Sequence, residues 1–138
     1  MEQIRHIYEK WHEYAKSRNT DGLLSLYADN AVFESPLVPA ILDDKHDGVL
    51  QGKPEIARFI KEGTKRRPNE LVRWFRTGEY LTDGRILVWE YPRQTDNGEQ
   101  IDILELMEIE NGLILKHRIY WGWKGCMQIS TSLLHKAR

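Results

Sequence analysis

The sequence predicts an α+β fold, with helices first and an antiparallel sheet after them. Two observations carry this. Ahead of Pro68 the apolar residues recur mostly at helical spacing, and beyond it they alternate along runs rich in β-branched and aromatic residues. Three corners, Thr82-Asp83-Gly84, Asp96-Asn97-Gly98 and Glu110-Asn111-Gly112, separate those later runs with turn chemistry. A chain of 138 residues is expected to form one domain, spanning 1–138, with a core of its own.

Ile4, Ile7, Tyr8, Trp11, Tyr14 and Ala15 define an amphipathic first helix over 2–18, with Trp11 near the middle of its apolar face. His6 and His12 are expected on or beside its polar side. Thr20 is a candidate cap for a short second helix that buries Leu23, Leu24 and Tyr27. A short strand over 31–34 carries Val32 and Phe33. The stretch 35–47 holds two prolines and an acidic cluster and reads as a loop. A brief strand over 49–51 ends at Gly52. Pro54 suits the first turn of a third helix, with Ile56, Phe59 and Ile60 as its stripe and Pro68 as its end. Four strands then form a meander, 71–81, 85–93, 100–109 and 113–123. Residues 126–138 read as a short helix or a loose tail around Ile129, Leu133 and Leu134.

The last hairpin organises the chain. One face of its first strand is Ile101, Ile103, Glu105, Met107 and Ile109, and one face of its second is Leu113, Leu115, His117, Ile119, Trp121 and Trp123. A three-residue loop pairs Ile109 with Leu113 and sets Glu105 directly opposite His117. A two-residue Asn-Gly turn would set Glu105 against Arg118 instead. The first register is preferred because it joins two apolar faces. Carried to the other corners, it sets Thr77 beside Trp89 and Trp89 beside Glu105, with Phe75, Tyr91 and Ile103 in the next layer. The opposite face carries Trp74, Arg76, Val88, Glu90, Leu104, Lys116, Arg118 and Tyr120, with Arg76 opposite Glu90.

Composition narrows the function. The net charge of −1 offers no electrostatic case for nucleic acid or an anionic membrane, and Lys65-Arg66-Arg67 reads as solvated charge at a helix end. The single cysteine, Cys126, excludes an internal disulfide. Asp43, Asp44, His46 and Asp47 match no zinc or calcium spacing, so no metal is expected. The N-terminus lacks the apolar core of a signal peptide, and no apolar run is long enough to span a bilayer. A cytoplasmic protein is the expectation.

Three pieces together carry a family resemblance: 21–36 (Asp-Gly-Leu-Leu-Ser-Leu-Tyr-Ala-Asp-Asn-Ala-Val-Phe-Glu-Ser-Pro), Gly52-Lys53-Pro54-Glu55-Ile56, and 105–119 (Glu-Leu-Met-Glu-Ile-Glu-Asn-Gly-Leu-Ile-Leu-Lys-His-Arg-Ile). In them the chain resembles the nuclear transport factor 2-like (NTF2-like) superfamily, most closely its SnoaL-like branch of polyketide cyclase and ketosteroid isomerase relatives. The resemblance implies a cone: three N-terminal helices on a strongly curved, mainly antiparallel sheet, with a pocket at the open end. It also implies association of two copies through the outer sheet face. Glu105 stands where many such chains have Asp, and His117 matches their usual His. The cyclases' acid or base two residues further on is Ile119 here, and the isomerases' base after the first strand is Ser35. The isomerases' first-helix Tyr falls near Trp11, with Tyr14 close by. Both acid/base sets are thus incomplete.

Glu105 with His117 is the candidate catalytic pair. A carboxylate that orients an imidazole suits proton abstraction beside a carbonyl. Trp11, Tyr14, Tyr27, Phe33, Trp89, Tyr91, Ile119 and Trp121 are candidate pocket residues for a flat apolar ligand, although such stripes also build plain cores. Tyr14, Tyr27 and Tyr91 are unranked candidates for an oxyanion donor. Two functions follow. One is a cofactor-free isomerase, cyclase or lyase for a small, mostly apolar carbonyl compound. The other is a non-enzymatic ligand-binding or dimerisation domain on the same scaffold. A homodimer through Trp74, Arg76, Glu90, Leu104, Arg118 and Tyr120 is expected in either case.

Overall fold

The computed structural model describes residues 2–66, 71–74, 79–90, 93–95 and 98–137. Among these the chain runs α1 (Glu2–Ser17), α2 (Thr20–Ser25), β1 (Tyr27–Glu34), α3 (Val38–Ile41), β2 (Val49–Gln51), α4 (Lys53–Arg66), β3 (Leu71–Trp74), β4 (Leu81–Thr82), β5 (Ile86–Glu90), β6 (Arg93–Thr95), β7 (Gln100–Ile101), β8 (Ile103–Glu110), β9 (Leu113–Trp121) and α5 (Trp123–Ala137). The predicted α+β order holds. Six strands form one mixed sheet in the order β2-β1-β9-β8-β5-β4, and β3, β6 and β7 form a second sheet. Within the large sheet only β1 and β9 run parallel. The meander thus divides between two sheets.

Helix α1 buries Ile4, Ile7, Tyr8 and Trp11, and α4 buries Ile56 and Phe59, all in one cluster with Phe33, Trp89, Met107 and Ile114 of the large sheet. Helix α2 begins at its predicted cap, one residue earlier than expected. Asn19, not Thr20, takes the cap position, and its side-chain oxygen accepts from the Gly22 N–H at 2.8 Å. Within the expected loop, α3 makes a single helical turn with Pro39 in its first turn, where the missing N–H of proline costs nothing. The tail is a full helix. α5 packs against α3, β7 and β9, and Trp123, placed on the last strand by the sequence, begins this helix and is 77% exposed.

The predicted hairpin register needs correction, and with it the expectation that Glu105 stands directly opposite His117. Asn111 and Gly112 have φ of +54° and +75°, the two left-handed residues of a two-residue type I′ turn, with Glu110 opposite Leu113. Ile109 therefore faces Ile114, not Leu113. A bulge between Glu108 and Ile109 on one side and Lys116 and Ile114 on the other then takes up one residue of β9. Beyond it Met107 faces His117 and Glu105 faces Ile119. The turn shifts the faces out of phase and the bulge brings them back, so Glu105 and His117 share a face as diagonal neighbours. At the first corner Thr82 pairs with Leu87 and Leu81 with Val88, a longer loop than the three-residue one expected. Thr77, Phe75, Arg76 and Tyr91 lie outside the described residues.

Candidate functional site

Trp89 and Glu105 are cross-strand neighbours, as are Phe33 and His117, so β5, β8, β9 and β1 deliver four side chains to one face. Tyr27 joins them because β1 is irregular. Its register on β9 jumps between Tyr27, beside Ile114, and Val32, beside Lys116. The slack shortens the strand's path, so Tyr27 and Phe33 both reach the His117 ring. The Phe33 ring meets it edge-on with centroids 5.0 Å apart, and the Tyr27 ring lies stacked at 5.9 Å.

Three ionisable side chains are linked in series. The Tyr27 hydroxyl lies 2.7 Å from His117 Nδ1, and His117 Nε2 lies 2.8 Å from Glu105 Oε2. Glu105 and His117 are each 1% exposed. Burial pushes the Tyr27 phenol far above its ordinary pKa, and the nearby Glu105 charge adds to the rise. Trp11 beside the phenol works the other way. Trp11 also packs edge-on against Trp89 at 5.2 Å. Among the described residues the buried polar or charged side chains are His12, Ser35, Glu105 and His117, with no Lys or Arg.

The remaining predicted residues divide. Ile119 and Trp121 are half-buried on the same strand as His117, and Ile119 stands opposite Glu105. The Trp121 indole N–H donates to Ser35 Oγ at 3.4 Å, and a Cβ at Gly125 would overlap the Trp121 ring, so α5 sits directly on it. Ser35 is buried and also accepts from the Leu37 N–H at 3.1 Å. Tyr14 lies away from the linked groups, its ring against Gly22 of α2 and the Lys10 ammonium above it. Tyr91 is outside the described residues. His12 corrects the expectation of a solvent-facing ring. It is buried against Tyr8, Trp11 and Trp89, with Nδ1 2.8 Å from the Tyr8 carbonyl. The signal was present: His12 continues the Ile4–Tyr8 row at four-residue spacing.

Asp44 is held below the usual carboxylate range, chiefly by its hydrogen bonds with Arg58 at the surface. No group of three or more His, Cys, Asp or Glu among the described residues could hold a metal ion. No described helix is long and apolar enough to cross a membrane.

Helices over a mixed, mostly antiparallel six-stranded sheet, with an ionisable series on the covered face, define an NTF2-like α+β domain. The chain belongs to the SnoaL-like domain family, whose match spans residues 8–117. Comparison with curated proteins returns no match. Among solved structures, a SnoaL-like protein of unknown function from Burkholderia thailandensis is 18% identical, covering 89% of this chain and 98% of its own, with a TM-score of 0.69. A Bacillus subtilis protein provisionally named an isomerase is 18% identical over 95% of this chain and 94% of that one, with a TM-score of 0.66. A Kribbella flavida protein provisionally named a ketosteroid isomerase is 18% identical over 88% and 79%, with a TM-score of 0.65. At such identities the likeness shows the fold.

Proposed function

We propose that this domain is a cofactor-free enzyme that moves a proton on a small, mostly apolar carbonyl compound, as an isomerase, cyclase or lyase, and that it works as a homodimer through its outer sheet face. The observation that supports the reading is the Glu105–His117 pair, hydrogen-bonded at 2.8 Å inside an otherwise apolar cluster. Burying such a pair stabilises a fold poorly compared with apolar packing, so its place in the interior argues for use. Enolisation needs a base beside the carbonyl and asks no redox or group-transfer chemistry of a cofactor. With a carboxylate and no buried Lys or Arg among the described residues, the interior suits a neutral compound over an anionic one.

A second reading, a non-enzymatic ligand-binding or dimerisation domain, draws support from the close packing of Trp11 on Trp89 and from Ile119 in place of an acid. Deuterium exchange at the α-carbon of a panel of neutral ketones and enones in D2O, followed by NMR, separates the two. The enzyme reading expects exchange by the natural chain that Glu105→Gln slows by about 100-fold or more, the usual worth of a general base. Absence of exchange across the panel, or exchange indifferent to Glu105→Gln, would favour the binding domain.

A further inference from the structure

We propose that α5 is a lid over one end of the inner sheet face, pivoting at Gly122 and latched at its far end by Lys136. Tyr27, His117 and Glu105 are all buried, so a compound meets them only after some covering element has moved, whichever of the two readings above holds. α5 covers the end of the face beyond Glu105. Along the last hairpin the inward pairs run Met107–His117, Glu105–Ile119 and Ile103–Trp121. A Cβ at Gly125 would overlap the Trp121 ring and lie 3.3 Å from Ile101 Cγ2, so the helix backbone rests directly on both side chains. Glu105 is thus one pair in from the row that α5 covers.

The attachment of α5 differs from that of the other long helices. α1 places Ile4, Ile7, Tyr8 and Trp11 in the central cluster, and α4 places Ile56 and Phe59 there. α5 meets the body along one stripe, Gly125, Ile129, Leu133 and Lys136. Ile129 is buried and Leu133 half-buried, and neither is in that cluster among the described residues. An element held by little apolar area outside the main core opens at a lower free energy than the core itself.

The two ends of α5 are held in different ways. At its base the Gly122 N–H donates to the Asp102 carbonyl at 2.8 Å. A Cβ at Gly122 would come within 3.0 Å of Asp102 Cβ, so the chain is pinned closely to the β7–β8 junction. The Lys124–Glu99 ion pair at 3.3 Å adds to this anchor. At its tip the Lys136 ammonium gives its three donors to the carbonyls of Pro39, Leu42 and Lys45. These bonds are part-buried, and water replaces them on both sides when they break. They close the lid without the apolar burial that would lock it. The carbonyls belong to α3 and the turn after it, and the Trp121 indole reaches Ser35 just before α3. The latch and the covered ring therefore meet one corner of the fold, and opening α5 uncovers that corner together with Trp121 and Ile101.

Hydroxyl-radical footprinting of the full chain, read at each tryptophan by mass spectrometry, tests this. Trp121 lies under α5, whereas Trp11 of α1 packs on Trp89 in the central cluster, so that pair reports any general loosening. Lys136→Met releases the latch. Gly125→Ala wedges the helix off the Trp121 ring while favouring the helix itself. Each is expected to raise oxidation of Trp121 several-fold and leave Trp11 and Trp89 unchanged. Native-state amide exchange of the natural chain is expected to show residues 126–136 exchanging together, about 10-fold or more faster than β8. Trp121 as protected in both variants as in the natural chain, or α5 amides that exchange only in step with β8, would overturn the lid. So would a rise at Trp11 and Trp89 equal to that at Trp121. None of these outcomes bears on Glu105→Gln in the deuterium-exchange assay, so the lid and the proposed function fail separately.

Discussion

Tyr27 connects the site to stability as well as to chemistry. Its folded pKa is raised from the model-peptide value of 10.0, first by burial and then by Glu105. Below pH about 10 the phenol is neutral in both folded and unfolded chains, and the full contribution of Tyr27 is present. Above that, the unfolded chain releases the proton and the folded chain does not, so stability falls as pH rises towards the folded value. The stability difference between the natural chain and Tyr27→Phe should therefore shrink between pH about 9 and 11, measured by urea unfolding. A difference constant over that range would mean that the folded phenol titrates like an exposed one. The same residue marks how far a sequence carries the site. Glu105 and His117 stand out because each is the single ionisable residue of an apolar strand face. Tyr27 is legible as a buried residue near the end of a helix and as one of several pocket candidates, but not as the partner of His117, because that link spans 90 positions and depends on slack in β1.

The elements that escaped local reading are held by distant contacts. β8 and β9 announce themselves by alternation and by Asn111-Gly112, but the bulge in β9 falls at Leu115, with no glycine or proline to mark it. α3 hides behind prolines that usually signal a loop. Among its bulky apolar residues α5 turns Ile129 and, partly, Leu133 inward, while Trp123, Met127 and Leu134 face outward, so its helical stripe is faint. Its end is fixed by charge. The Lys136 ammonium donates to the carbonyls of Pro39, Leu42 and Lys45 at 2.7, 2.8 and 2.6 Å, meeting the C-terminal end of α3 where a cation is favoured. Lys136→Met keeps the stem and removes the three bonds. It should cost about 1–2 kcal/mol by denaturant unfolding and speed amide exchange in the last two turns of α5. Exchange unchanged there would show that α5 is held by Ile129 and Gly125 packing alone.

At the scale of the whole molecule, the large sheet has two faces of different character. The inner one meets α1 and α4 and holds the Tyr27–His117–Glu105 series. The outer one presents half-buried Val88 and Leu104 and the 51% exposed ring of Tyr120. Around this apolar centre lie Glu90 on β5, Glu108 on β8, and Lys116 and Arg118 on β9, with Arg118 3.4 Å from Glu108. Basic residues thus sit on one side of the face and an acidic residue on the other. A two-fold axis running along β8 would lay β9 of one copy over β5 of the next, setting Tyr120 over Glu90 and Arg118 over Val88 and stacking the apolar centres, the self-complementarity an isologous dimer requires. The expected area is about 1,200 Å² or more in total, enough for a stable pair. Light scattering at micromolar concentration should give twice the mass of the chain, and Leu104→Glu, which adds a carboxylate between Glu90 and Glu108, should shift it to the monomer without unfolding it. A natural chain that scatters as a monomer removes the outer face as an interface. It leaves the inner face untouched, because every group in the hydrogen-bonded Tyr27–His117–Glu105 series comes from one copy of the chain.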